Sequence, residues 1–394
     1  MQKKKDKKKA PLRRTSAADL RLVAGSAQKT AIVHDVSSGA PAERAGPERT
    51  GHGEQRRRPT INDVARLAGV SKKTVSRVIN RSPLVREETR EKVDAIITEL
   101  GFRPDPQARA LAFRRSFLIG LIYDNPNPQY VIDMQQGILD VLRGSGFELL
   151  VHPCRRDEPG FYETVGNFVE RQRLAGVVLP PSVSEDERLV ALLADLDCPY
   201  IRIASVLLDE PEASIVTHDA EGGEQAARHL ARLGHKRIAH ISGPDGFRSA
   251  KERRSGFRQG LEAEGVTCDA SLDIKGAYTF ESGLLAGREL LSRSPSPTAV
   301  FCGNDEMAAG LYQAAREAGR TIGRSLAIVG FDDSPLAARL WPPLTSVRLP
   351  IRDMGARAAE KLLAEIRDAD DDALPANEIR PKLVVRSSTA ADES

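Results

Sequence analysis

Residues Thr60 to Asn80 read TINDVARLAGVSKKTVSRVIN. Ile61, Val64, Ala65 and Ala68 recur at helical spacing, and so do Val75, Val78 and Ile79. The stretch predicts two short amphipathic helices joined by a turn at Gly69, where a left-handed backbone costs glycine little. Thr60 is placed to cap the first helix, with Asp63 three residues on as a weak capping-box partner. Ser71 caps the second, whose first exposed side chains are Lys72 and Lys73. A helix with cations at its N-terminal end, braced across another helix, presents side chains to a DNA major groove. A helical hairpin inside an unrelated core is the bland reading, and the rest of the chain weighs against it.

Outward from this stretch, Arg81–Leu84 reads as a loop and Arg86 to Leu100 as a third helix, with Val93, Ile96, Ile97 and Leu100 on its apolar face. Together these make a three-helix headpiece of about 45 residues, near the lower size limit for independent folding. Gly101-Phe102-Arg103-Pro104 stops it. Asp105–Ala112, DPQARALA, then reads as a very short helix, with Asp105 as N-cap and Pro106 at the first helical position. Two turns fall below the ~12–15 residues a lone helix needs in water. The segment is expected to fold only when something stabilises it; a plain linker is the alternative. Upstream, Met1–Arg58 lacks sustained periodicity and reads as a disordered basic tail, or as the product of an upstream start codon.

The net charge of +3 on 394 residues hides a gradient. Met1–Arg58 carries 15 basic and 6 acidic residues, Pro59–Arg115 carries 12 and 7, and Ser116–Ser394 carries 31 and 42. A basic front on an acidic body fits a DNA-binding end joined to a domain with another task. The basic N-terminus has no apolar stretch after it, so it does not read as a signal peptide. No run approaches the ~18 apolar residues of a membrane span. Cys154, Cys198, Cys268 and Cys302 are far apart and form no CxxC pair. They read as reduced thiols of a cytoplasmic protein, with no metal site and no cofactor expected.

From Phe117 the pattern becomes alternating strands and helices. FLIGLIY, FELLVH, AGVVLP, PYIRIA, IVTHD, RIAHISG, TAVFCGN and LAIVGFDD read as strands. Helices are expected over Gln129–Arg143, Tyr162–Gln172, Asp186–Asp197 and Glu221–Leu233. Such alternation implies right-handed crossovers and parallel sheets. About ten units exceed one small sheet, so the expected fold is an all-α helix-turn-helix headpiece plus an α/β bilobal core of two Rossmann-like subdomains. The ligand site is expected at the carboxyl ends of the strands, between the lobes.

Headpiece, conditional helix and bilobal body, in this order, resemble the LacI/GalR (lactose-repressor/galactose-repressor) family of bacterial transcriptional regulators. The motifs that carry the resemblance are TINDVARLAGVSKKTVSRVIN, LGFRPDPQARALA, HLARLGHKRIAHISGP, SAKERRSGF, GNDEMAAG and IVGFDDSPLAARLWPPLTSVR. The body of this family is similar to periplasmic sugar-binding proteins. The resemblance implies base contacts by Lys72, Lys73 and Arg77, and phosphate contacts by Thr60, Ser71, Thr74 and Asn80. It implies that Leu111, beside Ala108, is a wedge pushed between base pairs in the minor groove. For the effector it implies Arg253, Asn304 and Asp332 as polar contacts and Tyr278 as an aromatic wall, with Phe280, Trp341, Asp124 and Arg202 as further candidates. A planar guanidinium and a carboxylate converging on vicinal hydroxyls suit a sugar.

The expected organisation is a disordered tail over 1–58, a headpiece over 59–104, a hinge over 105–115 and an effector-binding and dimerisation core over 116–394. Within the core, 117–217 plus 350–378 are expected to form one lobe and 218–348 plus 379–394 the other. The expected function is that of a homodimeric repressor of carbohydrate-utilisation genes, released from operator DNA by a sugar. A purine- or other metabolite-responsive corepressor-type regulator of the same family is the alternative. No leucine heptad follows Leu383, so a dimer is expected rather than a tetramer. Arg202 and Arg348 raise an anionic effector as a further possibility. GxSxG, HExxH, GxxxxGK[ST] and GxGxxG are all absent from the sequence, which weighs against an enzyme.

Overall fold

The computed structural model describes residues 59–79, 84–102, 116–367 and 376–389. The expectations for 1–58, for Asn80 and for the 105–115 segment with Ala108 and Leu111 lie outside the described residues.

The headpiece has three helices, α1 (Ile61–Ala68), α2 (Lys72–Ile79) and α3 (Glu87–Leu100). The backbone N–H and the hydroxyl of Thr60 both donate to the Asp63 carboxylate, at 2.9 and 2.7 Å. Gly69 turns the chain at φ 65°, in the left-handed region that L side chains rarely adopt. Ser71 Oγ accepts the Thr74 N–H at 3.0 Å and so starts α2. Val64, Ala68, Val75, Val78 and Val93 are buried together, which is why two eight-residue helices hold their shape. Phe102, expected only as part of a stop signal, folds back onto this core, its N–H donating to the Ile97 carbonyl at 3.0 Å.

The core begins with β1 (Leu118–Tyr123), α4 (Pro128–Leu142), β2 (Glu148–Pro153), α5 (Phe161–Gln172), β3 (Gly176–Leu179), α6 (Glu187–Asp195), β4 (Tyr200–Ala204) and β5 (Ser214–Val216). It continues with α7 (Asp219–Arg232), β6 (Ile238–Ser242), α8 (Arg248–Ala263), β7 (Asp273–Lys275), α9 (Phe280–Leu291) and β8 (Ala299–Cys302). The last elements are α10 (Asp305–Glu317), β9 (Ala327–Asp332), α11 (Pro335–Arg339), β10 (Thr345–Arg348), α12 (Ile351–Arg367) and β11 (Lys382–Val384).

One sheet runs β2-β1-β3-β4-β5 and is parallel throughout. The other runs β11-β10-β9-β8-β6-β7, parallel except for the β10–β11 pair. Apart from β11, the second sheet repeats the winding order of the first. The central strands are buried on both faces, as Val177–Leu179, Ala299–Cys302 and Ala327–Asp332 illustrate, so they read as unbroken apolar runs. The chain crosses between lobes three times, after β5, after β10 and after α12. Leu349, Ile351 and Ile379 at these crossings belong to one apolar cluster that also holds Ile119 of the first lobe and Phe301 of the second.

The helix expected from Glu221 starts two residues earlier, at Asp219. The segment DAEGG has no apolar periodicity because Gly223 and Gly256 let α7 and α8 pack backbone to backbone. A Cβ on Gly223 would sit 2.1 Å from the Arg253 carbonyl oxygen. That early start brings Asp219 to the cleft between the lobes.

Candidate functional site

Two surfaces carry the polar chemistry. On α2, Lys72, Lys73 and Arg77 are all exposed, with Lys73 and Arg77 one helical turn apart. Thr60 stands before α1 and Ser71 before α2, and Ser71 and Thr74 share a hydroxyl contact at 2.9 Å. Amide N–H groups at the start of a helix and small hydroxyls suit phosphate oxygens.

The second surface is a cleft between the carboxyl ends of the two sheets. Asn125, Asn127, Tyr130 and Pro181 line it from the first lobe. Thr217, Asp219, Phe247, Arg253, Tyr278, Asn304 and Asp332 line it at the crossing and from the second. Apart from Arg253, in the second turn of α8, these positions end or follow strands β1, β3, β5, β6, β7, β8 and β9, or lie in the first turn of the next helix, where open α/β sheets bind ligands.

Arg253 is the centre of the site. It is buried; its Nε donates to Asp219 Oδ1 at 2.7 Å, and Nη1 donates to the Gly303 carbonyl. The same Nη1 lies 3.8 Å from Asp332 Oδ1. The guanidinium carbon stands 3.6 Å from the centroid of the Phe331 ring. Burial works against its charge, but Tyr278, Asp219 and Asp332 outweigh that, and its pKa is raised. The cation is therefore fixed in place and permanent. Thr217 also donates its hydroxyl to Asp219.

Asp332 ends β9 at φ 102°, and Asp333 follows at φ 53°. Two successive non-glycine residues in the left-handed region are costly, and surrounding contacts hold them. The Asp333 N–H donates to Ser346 Oγ at 3.0 Å, and Arg348 Nε donates to Asp333 Oδ2 at 2.7 Å. The Ser334 N–H and the Ser346 hydroxyl donate to the buried Asp305 carboxylate, at 2.7 and 2.6 Å. Burial pushes Asp305 up to about 7. Burial also raises Asp332 well above the carboxylate range; Arg253 pulls it down while Asp305 and Asp219 add to the rise.

Asn127 joins the lobes. Its carbonyl oxygen caps α4 at the Gln129 and Tyr130 N–H groups, and its amide donates to Asp332 Oδ2 at 3.3 Å. The Tyr130 hydroxyl is buried in the cleft with no hydrogen-bond partner among the described residues. Burial, then the charges of Asp219 and Asp332, raise its pKa, so it stays a neutral donor. Tyr278 and Phe247 pack edge to face, with ring centroids 5.4 Å apart. Asn304 lines the cleft, but its amide is spent on the Tyr278 carbonyl at 3.0 Å and on capping α10 at the Met307 N–H, 2.9 Å.

Four expected effector residues lie outside the cleft lining. Arg202 is completely buried in the first lobe, where Nε donates to the Ser184 carbonyl and the other nitrogens pair with Glu187 and Asp209. Its charge serves the loops after β3 and β4. Asp124 turns its carboxylate to the Arg156 N–H at 3.2 Å. Phe280 starts α9 with a half-buried side chain. Trp341 is 87% exposed, so its ring packs on nothing in this chain that a ligand would displace. Arg348 is likewise paired with Asp333. The sequence reading missed Asn127, Tyr130, Thr217, Asp219 and Phe247. Their available signal was position: each lies near the end of a strand or the start of the following helix.

Among the described residues no group of three or more His, Cys, Asp or Glu is placed to hold a metal ion. No described helix is long and apolar enough to cross a membrane.

Two family models match the chain. Residues 60–105 match the bacterial regulatory proteins of the lacI family, and residues 227–389 match the periplasmic binding protein-like domain. The HTH-type transcriptional regulator CelR of Thermobifida fusca is 37% identical over 320 residues, covering 79% of this chain and 93% of its own length. A solved transcriptional regulator CelR–cellobiose complex superposes with a TM-score of 0.62 and 33% identity, over 84% of this chain and all of that one. The lac repressor dimer bound to operator and the anti-inducer ONPF gives a TM-score of 0.69 and 27% identity, over 85% of this chain and all of that one.

Proposed function

This chain belongs to the LacI family of bacterial regulatory proteins, and from that premise we propose that it is a dimeric repressor whose cleft takes a neutral sugar. It is a DNA-binding transcriptional regulator and not an enzyme. The observation that carries the effector reading is the buried Arg253, held between Asp219 and Asp332 in a cleft with aromatic walls. A fixed guanidinium donates to ring and hydroxyl oxygens, the carboxylates accept from vicinal hydroxyls, and Phe247 and Tyr278 offer apolar faces to C–H groups. The free Tyr130 hydroxyl supplies one more donor. The Asp219 carboxylate paired with the arginine disfavours an anionic ligand, and Arg202 and Arg348 are both already paired. The CelR–cellobiose complex supports a sugar of this kind.

In this account Lys72, Lys73 and Arg77 read base edges, and Thr60, Ser71, Thr74 and Asn80 grip phosphates. Pro106–Ala112 forms a helix on DNA with Leu111, beside Ala108, in the minor groove. Sugar binding closes the lobes, the paired hinges separate, and the operator is released, a coupling worth about 1–3 kcal/mol. We place this work in the cytoplasm, where the DNA is.

The test uses the operator selected from genomic fragments that the protein retains at moderate salt. Fluorescence anisotropy of labelled operator is followed while cellobiose, other neutral sugars, sugar phosphates and purines are added to wild type and to Arg253→Ala. Neutral sugars are expected to release wild type and to leave Arg253→Ala bound. Release by a purine or a sugar phosphate alone contradicts the neutral-sugar reading.

A further inference from the structure

The loop Pro244–Phe247, between β6 and α8, is gripped by the opposite lobe at two points. Glu185, in the turn after β3, accepts the Arg248 N–H with both carboxylate oxygens, at 3.1 and 3.0 Å. Arg248 is the first residue of α8, and its N-cap Phe247 has no side-chain acceptor to offer. The first amide of a sixteen-residue helix is thus satisfied only from across the cleft. Arg156, after β2, donates Nη2 to the Gly246 carbonyl at 2.8 Å and braces itself on Asp124. Neither Glu185 nor Arg156 lines the cleft.

Strand order gives their position a meaning. The chain leaves β5 for α7, which packs on β10 and β11, leaves β10 for α12, and leaves α12 for β11; β5, β10 and β11 lie at one side of each sheet. Arg156 follows β2, at the far edge from β5, and the gripped loop follows β6, beside the far edge β7. The Arg156 contact therefore joins the lobes at the rim opposite the crossings, and the Glu185 contact, after the central strand β3, joins them between that rim and the crossings.

We infer that Glu185 and Arg156 form a latch that holds the cleft closed over its occupant. They set effector affinity through the open–closed equilibrium rather than by touching the ligand, because apparent affinity scales with the population of the binding-competent state. This rests on the cleft being the effector site.

The test compares full-length wild type with Glu185→Gln, Glu185→Ala and Arg156→Ala. Without sugar, amide exchange over 246–250 is expected to speed up about tenfold in the variants, while 256–261, inside α8, exchanges as in wild type. With cellobiose as the probe, dissociation is expected to quicken about tenfold, and sugar-free operator affinity is expected not to fall, because closure is the state that releases the operator. Unchanged exchange over 246–250 overturns the latch, and so does faster exchange throughout α8, which signals general loosening. Arg253→Ala separates the two readings. If it keeps wild-type cellobiose affinity, the cleft reading fails, while exchange over 246–250 still decides whether the rim contacts hold the lobes together.

Discussion

The two lobes are wound in the same strand order, yet each buries a guanidinium for a different purpose. Arg202 of the first lobe finds Ser184, Glu187 and Asp209 within 18 residues of itself. It ties two neighbouring loops to one strand. Arg253 of the second lobe draws on Asp219, Gly303 and Asp332, which come from three separate strand ends facing a cavity. Both arginines are buried and paired, so burial alone does not mark a binding residue. The origin of the partners does: a guanidinium that gathers distant strand ends around a space is held for something outside the chain.

That contrast breaks if the two arginines respond alike to truncation. Arg202→Ala is expected to lower the unfolding free energy by about 3 kcal/mol, read from urea denaturation, because it strips a buried ion pair and orphans the Ser184 carbonyl. The figure is at the low end of the range because Glu187 is 72% exposed and stays solvated. Effector affinity of the folded variant should match wild type. Arg253→Ala should instead lower effector affinity about 100-fold by calorimetry, the scale of two charge-assisted hydrogen bonds.

A third prediction concerns the carboxylates behind the site. Asp305 and Asp332 have folded-state pKa values raised by burial, so the folded protein holds protons that the unfolded chain has already released. Their contribution to stability is greatest at low pH and is lost as pH rises through about 7, the value for Asp305. Asp305→Asn has no charge to acquire. It should flatten the fall in stability between pH 5 and 8 by on the order of 2 kcal/mol, measured by denaturation at each pH. An unaltered slope would place the buried charge elsewhere.

The contrast sharpens on the exposed face of the headpiece, where Lys73 has no packing role. Lys73→Ala should cost about tenfold in operator affinity with little change in non-specific binding or in melting temperature, since a lysine on a base edge discriminates without supporting the fold. The smallest effect belongs to Trp341. Its emission should stay that of an exposed indole when effector is added to the isolated protein, and a large spectral shift would place it near the ligand after all.

The headpiece was legible because its signals are local. Apolar spacing in α1 and α2, Gly69 as a stop and Ser71 as a start all act within four residues. The alternating sheet order was legible for a related reason, since central strands are unbroken apolar runs. Edge strands β7 and β11, and β10 beside β11, escaped because Asp273–Lys275, Lys382–Val384 and Thr345–Arg348 carry no unbroken apolar run. In the cleft, Arg253, Asn304 and Asp332 were reachable through family motifs, and Tyr278 through the wider resemblance. Asp219 and Tyr130 were not, because their roles depend on contacts between segments far apart in the chain. Asp219 falls outside the helix expected from Glu221, and Tyr130 falls within the one expected over Gln129–Arg143, so neither stands out. Arg202 and Trp341 misled for the converse reason: chemistry suited to a ligand is equally suited to a loop tie, and a lone tryptophan draws attention wherever it sits.

The account turns on whether occupancy of the cleft is felt by the segment that joins headpiece to core. Amide hydrogen exchange over residues 105–112 measures this most directly, in free protein, on operator, and on operator with saturating effector. The account predicts protection on operator alone, with fast exchange in the other two states. Equal protection in all three would contradict it.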